Sequence, residues 1–162
     1  MNFYCLLIFL IIAIPSSIYD IKKFRIPLFL VLAGILFFIL YYLIFFKFKF
    51  VYFLQQTLWG VIGTVIVLVL ARILTGGGLG WGDVIFGVFC SLFIGFPLFC
   101  FIYLGFSSIS GILFYVIFSF TRKKTKDNKV IIHHNFVIPY IPFMTAGTLI
   151  TYFLLWINWL NF

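Results

Sequence analysis

The stretch Gly76-Gly77-Gly78-Leu79-Gly80-Trp81-Gly82-Asp83, followed by an apolar run over residues 84–96, organises this chain. Asp83 is one of three acidic residues, and the chain has no glutamate. A carboxylate at the start of a membrane helix is costly to desolvate, which indicates that it has a function. The flanking glycines give the backbone conformational freedom and let another helix approach closely. The alternative is a glycine-rich turn in which Asp83 is an ordinary helix N-cap.

The composition is that of a membrane protein. Hydrophobic residues make up 65% of the chain and charged residues 9%, and apolar runs of membrane-spanning length recur from end to end. The net charge of +8 does not indicate nucleic-acid binding, because the basic residues lie between hydrophobic segments. The cysteines fall inside apolar runs without CxxC spacing, so we interpret them as buried hydrophobic side chains and not as metal ligands: Cys5, Cys90 and Cys100.

The apolar runs predict an all-α polytopic membrane protein with six transmembrane helices in one domain, residues 1–162. The predicted spans cover residues 3–19, 26–46, 57–74, 84–96 and 98–120, and a last one from Pro139 or Pro142 to Trp159. We interpret Gly95-Phe96-Pro97 as a tight turn between the fourth and fifth spans. The alternative is one long kinked helix, which would invert everything downstream. The first span lacks the basic start and the cleavage site of a signal peptide.

The charges of the loops predict the orientation. Loops one, three and five carry most of the basic residues: Lys22, Lys23, Arg25, Arg72, Arg122, Lys123, Lys124, Lys126 and Lys129. The second loop carries Lys47 and Lys49. Because positively charged loops stay in the cytoplasm, we expect the odd-numbered loops there and both termini outside the cytoplasm. Asp20 and Asp83 then lie at the same membrane face and at similar depth.

Each of these two acids ends a strip of small residues at helical spacing. The strips are Ala13, Ser16 and Ser17 before Asp20, and Gly87, Ser91 and Gly95 after Asp83. Small residues let membrane helices pack closely, so we expect the first and fourth helices to pack along these strips and bring the acids together. The alternative is generic packing, with each acid capping a helix or pairing with Lys22, Lys23 or Arg72. Spacing alone leaves both interpretations open.

Three short motifs resemble the signatures of the type IV prepilin peptidases. Asp20-Ile21-Lys22-Lys23-Phe24-Arg25-Ile26-Pro27 is similar to their first signature, in which Ile-Pro follows an aspartate. Gly80-Trp81-Gly82-Asp83 is similar to their GxGD signature, which also names a wider group of membrane aspartyl proteases. Ile141-Pro142-Phe143 resembles a third, weaker signature at the start of the last helix. In motif order, spacing and predicted spans the resemblance extends over nearly the whole chain.

The resemblance implies an aspartyl endopeptidase of the inner membrane that removes the short basic leader of prepilin-like proteins at the cytoplasmic face. Asp20 and Asp83 would be the catalytic pair, one ionised to activate water and one protonated to bind the scissile carbonyl oxygen. The supporting motif residues would be Gly80, Gly82, Ile26, Pro27 and Pro142. We expect no cofactor and no metal ion, and as partners a prepilin-like substrate and the lipid bilayer. Which acid is the base, and the oligomeric state, stay open.

The chain departs from the family pattern at a few positions. Leu28 stands where the family commonly has Asn, Ile85 where many members have Lys, and Met144-Thr145 where others have Gly-Pro. These differences bear on substrate preference more than on the reaction. The paired-cysteine insert associated with N-methylation is absent. The chain therefore resembles the compact peptidase-only form of tight-adherence pilus systems and archaeal preflagellin peptidases.

Other functions have weaker support. His133-His134 has no Cys or acidic partner at ligand spacing, which favours a solvated loop over a metal site. Ser107, Ser108 and Ser110 form no GxSG motif, so we interpret them as helix-packing residues. The Asn-rich motifs of lipoprotein signal peptidase are missing. A small ion-coupled transporter, or a catalytically inactive pilus-assembly protein that uses the same acids structurally, is the alternative to a peptidase.

Overall fold

The computed structural model describes residues 3–45, 50–76, 79–123 and 139–160. Within these ranges the chain forms six helices and no strand, which confirms the all-α prediction. The helices are α1 (Phe3–Lys23), α2 (Leu28–Phe45), α3 (Phe50–Leu74), α4 (Trp81–Ile94), α5 (Pro97–Lys123) and α6 (Ile141–Leu160). Lys47 and Lys49, Gly77 and Gly78, and the basic loop with Asp127, His133 and His134 lie outside the described residues.

The chain reverses direction between α4 and α5. Gly95 ends α4 with a left-handed backbone, φ 76°, and its N–H donates to the Ser91 carbonyl at 2.9 Å. A left-handed residue at this position is a common helix stop and favours glycine. The Tyr103 hydroxyl of α5 then donates to the Gly87 carbonyl of α4 at 3.1 Å, so α5 runs back along α4. The tight turn is therefore correct, and the alternative of one long kinked helix is wrong.

α4 is the central helix of the bundle. Eight of its 14 residues are buried, as expected for a helix that is apolar around most of its surface. Phe9 of α1 stacks on Phe89 and Phe93 of α4, with ring centroids 5.3 and 4.4 Å apart. Phe38 of α2 lies 5.6 Å from Phe89, and Tyr152 of α6 lies 5.3 Å from Phe93. The helix that carries Asp83 is thus held by aromatic contacts from three neighbours.

The two small-residue strips do not face each other, so that prediction is wrong. Ser91 of α4 donates to the Thr64 hydroxyl of α3 at 2.8 Å. Ser17 of α1 lies 3.0 Å, hydroxyl to hydroxyl, from Thr145 of α6. The strips lie where hydroxyl groups and backbone come close to a neighbouring helix, whereas aromatic rings fill the space between α1 and α4.

The surface of the bundle is rich in large apolar side chains, which marks the chain as a membrane protein. Three helical windows are long and apolar enough to cross a bilayer: Cys5–Lys23, Thr57–Leu74 and Pro97–Phe114. The remaining described helices contain shorter apolar stretches: Leu28–Tyr41, Trp81–Ile94 and Ile141–Ile157. Six membrane crossings and the orientation of the termini stay predictions.

Several helix boundaries differ from the predicted spans; α4, for example, begins at Trp81 and not at residue 84, so it includes Asp83. α1 continues to Lys23, so Asp20 lies within its last turns and does not follow it. α2 begins at Leu28, so Ile26 and Pro27 precede the helix and do not open it. α3 begins at Phe50, before the predicted start at Thr57. Helical hydrogen bonding continues past the apolar part of a segment wherever the polar residues are good helix formers, and lysines are favourable at a helix C-terminus.

Candidate active site

Asp20 is a buried carboxylate, 5% exposed, near the C-terminal end of α1. Its Oδ2 accepts a hydrogen bond from the backbone N–H of Ile141 at 3.1 Å. Ile141 is the first residue of α6, and the first N–H groups of a helix have no partner within the helix. Asp20 therefore caps α6 from a different helix. Pro142, which has no N–H, fits the first turn that follows.

Asp83 lies in the first turn of α4, ahead of the apolar stretch that we assign to the membrane. Its Oδ2 accepts the Gly80 N–H at 2.9 Å, which closes the first turn of the helix. Burial raises the pKa of Asp83 to about 6; the Gly80 N–H opposes this rise, and the negative charge of Asp20 adds to it. The contribution of Asp20 means that the two carboxylates lie close enough for their charges to interact.

Gly82 is where α4 meets the segment before α2. A Cβ at position 82 would lie against the Ile26 side chain, with Cγ1 at 3.0 Å and Cδ1 closer still. Such distances leave no room for any side chain unless Ile26 moves. The Pro27 carbonyl accepts the Leu30 N–H at 2.9 Å and starts α2 directly after this contact. The Ile-Pro of the first motif therefore packs on the glycine of the second.

Gly80 leaves space beside the Asp83 carboxylate, and its backbone does not need the conformational freedom of glycine. Its φ of −74° and ψ of 152° are extended values that most residues adopt. A Cβ there would lie 3.2 Å from Asp83 Oδ2, tighter than an ordinary contact. A larger residue at position 80 would push the carboxylate away from the N–H that holds it.

Phe24 makes the reversal that brings Ile26 back to Gly82. It has a left-handed backbone, φ 50°, and its N–H donates to the Asp20 carbonyl at 2.8 Å. Phenylalanine is unfavourable in this conformation, so no sequence pattern predicts it here. The bond between Ile141 and Asp20 was likewise not predicted, although Pro142 was among the predicted motif residues. The available clue was the third motif, Ile141-Pro142-Phe143, which has no charged group of its own.

Arg72, at the end of α3, reaches across the glycine-rich loop. Its Nη1 donates to the Leu79 carbonyl, and its guanidinium carbon lies 5.0 Å above the Trp81 ring. In the part of the chain that the structure describes, neither Asp20 nor Asp83 makes an ion pair with a lysine or arginine. The pairing alternative, with Lys22, Lys23 or Arg72, thus has no support among these residues. The capping alternative agrees with the geometry, because each acid accepts a backbone N–H at the start of a helix.

The site consists of two carboxylates at one end of the bundle, each held by a backbone N–H. Within the described ranges, no group of three or more His, Cys, Asp or Glu side chains is arranged to hold a metal ion. Two neighbouring carboxylates of unequal environment can divide the roles of proton acceptor and proton donor around one water molecule.

The comparison with known protein families gave one match. The model of the type IV leader peptidase family matches residues 5–123, which is more than half of the chain. The matched region contains Asp20, Asp83 and both motifs around them, and it ends before Ile141 and Pro142. Neither the curated proteins nor the solved structures gave a match.

Proposed function

The chain belongs to the type IV leader peptidase family, and from this premise we propose that it is a multi-pass aspartyl endopeptidase of the inner membrane. Its substrate is a prepilin-like protein, from which it removes the short basic leader at the cytoplasmic face. Asp20 and Asp83 form the catalytic dyad. The family supplies the peptidase activity; the dyad and the substrate are our proposal.

One observation supports the dyad: Ile26, shortly after Asp20, packs on Gly82, next to Asp83, so the two acids lie at the same end of the bundle, where the charge of Asp20 adds to the raised pKa of Asp83. The acids are far apart in the sequence, and the interaction of their charges in the fold supports their assignment as a pair. Two carboxylates that repel each other tend to share one proton near neutral pH, which is the ionisation state that an aspartyl protease needs.

The reaction follows from that state. The ionised carboxylate accepts a proton from a water molecule, whose oxygen attacks the carbonyl carbon of the scissile peptide. The protonated carboxylate donates a hydrogen bond to the carbonyl oxygen as negative charge develops there. Collapse of the tetrahedral intermediate breaks the C–N bond and transfers a proton to the leaving amine. The backbone donors at Gly80 and Ile141 keep each carboxylate oriented throughout.

The surroundings of the dyad support cleavage at the cytoplasmic membrane face. Lys22, Lys23 and Arg25 are exposed just beyond Asp20, as in cytoplasmic loops. A prepilin-like substrate has its leader in the cytoplasm and its hydrophobic helix in the bilayer. The peptide bond between the two parts lies at the depth of a bundle end, where Asp83 begins α4.

A cleavage assay on a co-expressed prepilin-like protein tests this proposal. Asp20→Asn and Asp83→Asn each abolish cleavage, because Asn keeps the size of the side chain but cannot exchange the proton. The double variant is no worse than either single variant, since the dyad acts as a unit. Asp127→Asn is the matched control, because Asp127 is the one remaining acid and lies among basic residues in the sequence. Cleavage by either dyad variant contradicts the mechanism.

A further inference from the structure

We propose that Arg72 is a positioning residue of the active site: it ties the end of α3 to both sides of Gly80 and thereby fixes the turn that presents Asp83. This inference rests on the proposed peptidase function for its consequence in catalysis. The tether itself is a property of the fold and can be measured without any substrate.

Arg72 contacts the residues on both sides of Gly80. Its guanidinium donates to the carbonyl of Leu79 on one side of Gly80 and lies over the ring of Trp81 on the other side, 5.0 Å from the ring centre. Gly80 in turn donates its N–H to Asp83 Oδ2 at 2.9 Å. A single side chain thus restrains both neighbours of the residue that holds the carboxylate.

The described start of the loop is held by local hydrogen bonds: the Gly76 N–H donates to the Ile73 carbonyl at 3.1 Å, and the Thr75 N–H donates to the Ala71 carbonyl at 3.0 Å. Gly76 adopts a left-handed φ of 60°, and no heavy atom lies within 4 Å of the position that its Cβ would occupy. Glycine-rich segments have the largest conformational freedom to lose when they become ordered. Leu79 is half-buried and packs against the core, but that contact restrains its side chain and leaves its carbonyl to Arg72.

The chemistry of arginine suits this task. Its planar guanidinium can donate hydrogen bonds at its edge while its face lies on an aromatic ring, whereas lysine offers a single charged point. Trp81 stays 60% exposed beside Arg72, so most of this side chain has no other cover. The reaction needs the carboxylate within a fraction of an ångström of its productive position, and a displacement of about 1 Å can lower a rate by about 100-fold.

Hydrogen exchange followed by mass spectrometry tests the tether without substrate. In Arg72→Gln, we expect faster exchange in peptides that cover residues 73–83, with unchanged protection in α1, α5 and α6. Lys23→Gln is the matched control, because Lys23 is also a cation near the end of a helix that lies over an aromatic ring, 4.8 Å from the centre of Tyr19, and its described contacts are with Tyr19 of its own helix. Unchanged exchange in Arg72→Gln, or the same change in Lys23→Gln, overturns the tether.

Kinetics then test the consequence for catalysis. Arg72→Gln should lower kcat by about 10- to 100-fold with KM within about twofold, because positioning is lost and substrate contacts are kept. Arg72→Lys should recover part of the rate, and Lys23→Gln should cleave normally. A normal rate in Arg72→Gln, or a loss accompanied by loss of protection throughout the bundle, overturns the positioning role.

A double variant distinguishes positioning from an independent effect. Gly80→Ala places a Cβ near Asp83 Oδ2 and disturbs the same turn. If Arg72 acts through that turn, the rate loss in Arg72→Gln/Gly80→Ala is clearly smaller than the product of the two single losses. Multiplicative losses overturn the proposal. If the wild-type protein cleaves no prepilin-like substrate, the peptidase proposal fails, while hydrogen exchange still decides whether the tether exists.

Discussion

Ile26 lies directly against Gly82, so the two motifs that carry the acids are in contact with each other. Ile141, from the other Ile-Pro pair, donates its N–H to Asp20. Each Ile-Pro pair therefore supports an acid on a different helix: Ile26 supports the helix of Asp83, and Ile141 supports Asp20 itself. The motifs are separated in sequence but form one interlocked unit.

This contact predicts that position 82 tolerates no side chain. Gly82→Val should abolish cleavage while the protein remains inserted and folded, because the branched side chain displaces Ile26 and with it the first turn of α4. Gly105→Val is the matched control: a Cβ at Gly105, on the exposed side of α5, meets nothing within 4 Å, and cleavage should stay near normal.

A compensating pair makes the same prediction sharper. Gly82→Ala should lose most of its activity, and adding Ile26→Ala should restore part of it by vacating the space that the new methyl group needs. Full activity in Gly82→Val would show that the contact is incidental to the reaction.

The pKa of Asp83 predicts a titration that infrared spectroscopy can follow. The chain has three acidic side chains, so the C=O band of a protonated carboxyl group is easy to assign. This band should disappear as the pH rises through about 6, and Asp83→Asn should lack the transition. In Asp20→Asn the transition should move to lower pH, because the repulsion that raises the pKa is gone. The midpoint of the transition should remain above the ordinary pKa of Asp, because burial is the larger cause of the raised pKa. A transition that Asp20→Asn leaves unmoved would show that the acids are not neighbours.

Phe24 predicts a stabilising substitution. A left-handed backbone costs roughly 1–2 kcal/mol for most residues and less for Asn. Because Phe24 is 53% exposed, Phe24→Asn should raise the unfolding temperature measured in detergent, by the equivalent of up to ~1 kcal/mol. Phe29→Asn is the contrast: Phe29 is 87% exposed but lies in α2, where the same change brings no such gain. Equal effects at both positions would rule out the backbone as the cause.

Cysteine labelling tests the predicted orientation. Single cysteines at Lys124 and Lys47 should be labelled from the cytoplasm and from outside, respectively, because the odd-numbered loops carry most of the basic residues. The three native cysteines are buried and free, so they should contribute little background. Labelling of position 124 from outside would overturn the six-span arrangement.

The absence of the cysteine-rich insert predicts a peptidase that does not methylate its product. Mass spectrometry of a pilin processed with this protein as the sole peptidase should find an unmodified new N-terminus. The control is the same pilin processed by an enzyme that carries the insert. A methylated terminus in a host without other methyltransferases for pilins would contradict the prediction.

The sequence was informative about the positions of the helices along the chain. It was weak on which helix faces pack against each other. The apolar runs predicted six helices with a turn at Gly95, and the described residues confirm both. The pair Asp20 and Asp83 was implied by the family resemblance and stays a prediction. The partners of the small-residue strips were assigned wrongly, because a strip of small residues says that something approaches closely but not which helix. No sequence pattern predicts the left-handed backbone of Phe24 or the tether from Arg72, since both depend on how distant segments pack.

The turn at Gly95 ends a short helix without leaving the Gly95 carbonyl unpaired. The Thr57 hydroxyl of α3 donates a hydrogen bond to that carbonyl at 3.2 Å. This contact sets the turn between α4 and α5 level with Thr57, whereas α3 begins at Phe50, about 10 Å further along the helix axis at ~1.5 Å per residue. α4, with 14 residues, is short for a bilayer. It can end below the level of α3 because a threonine hydroxyl takes the place of water at this carbonyl.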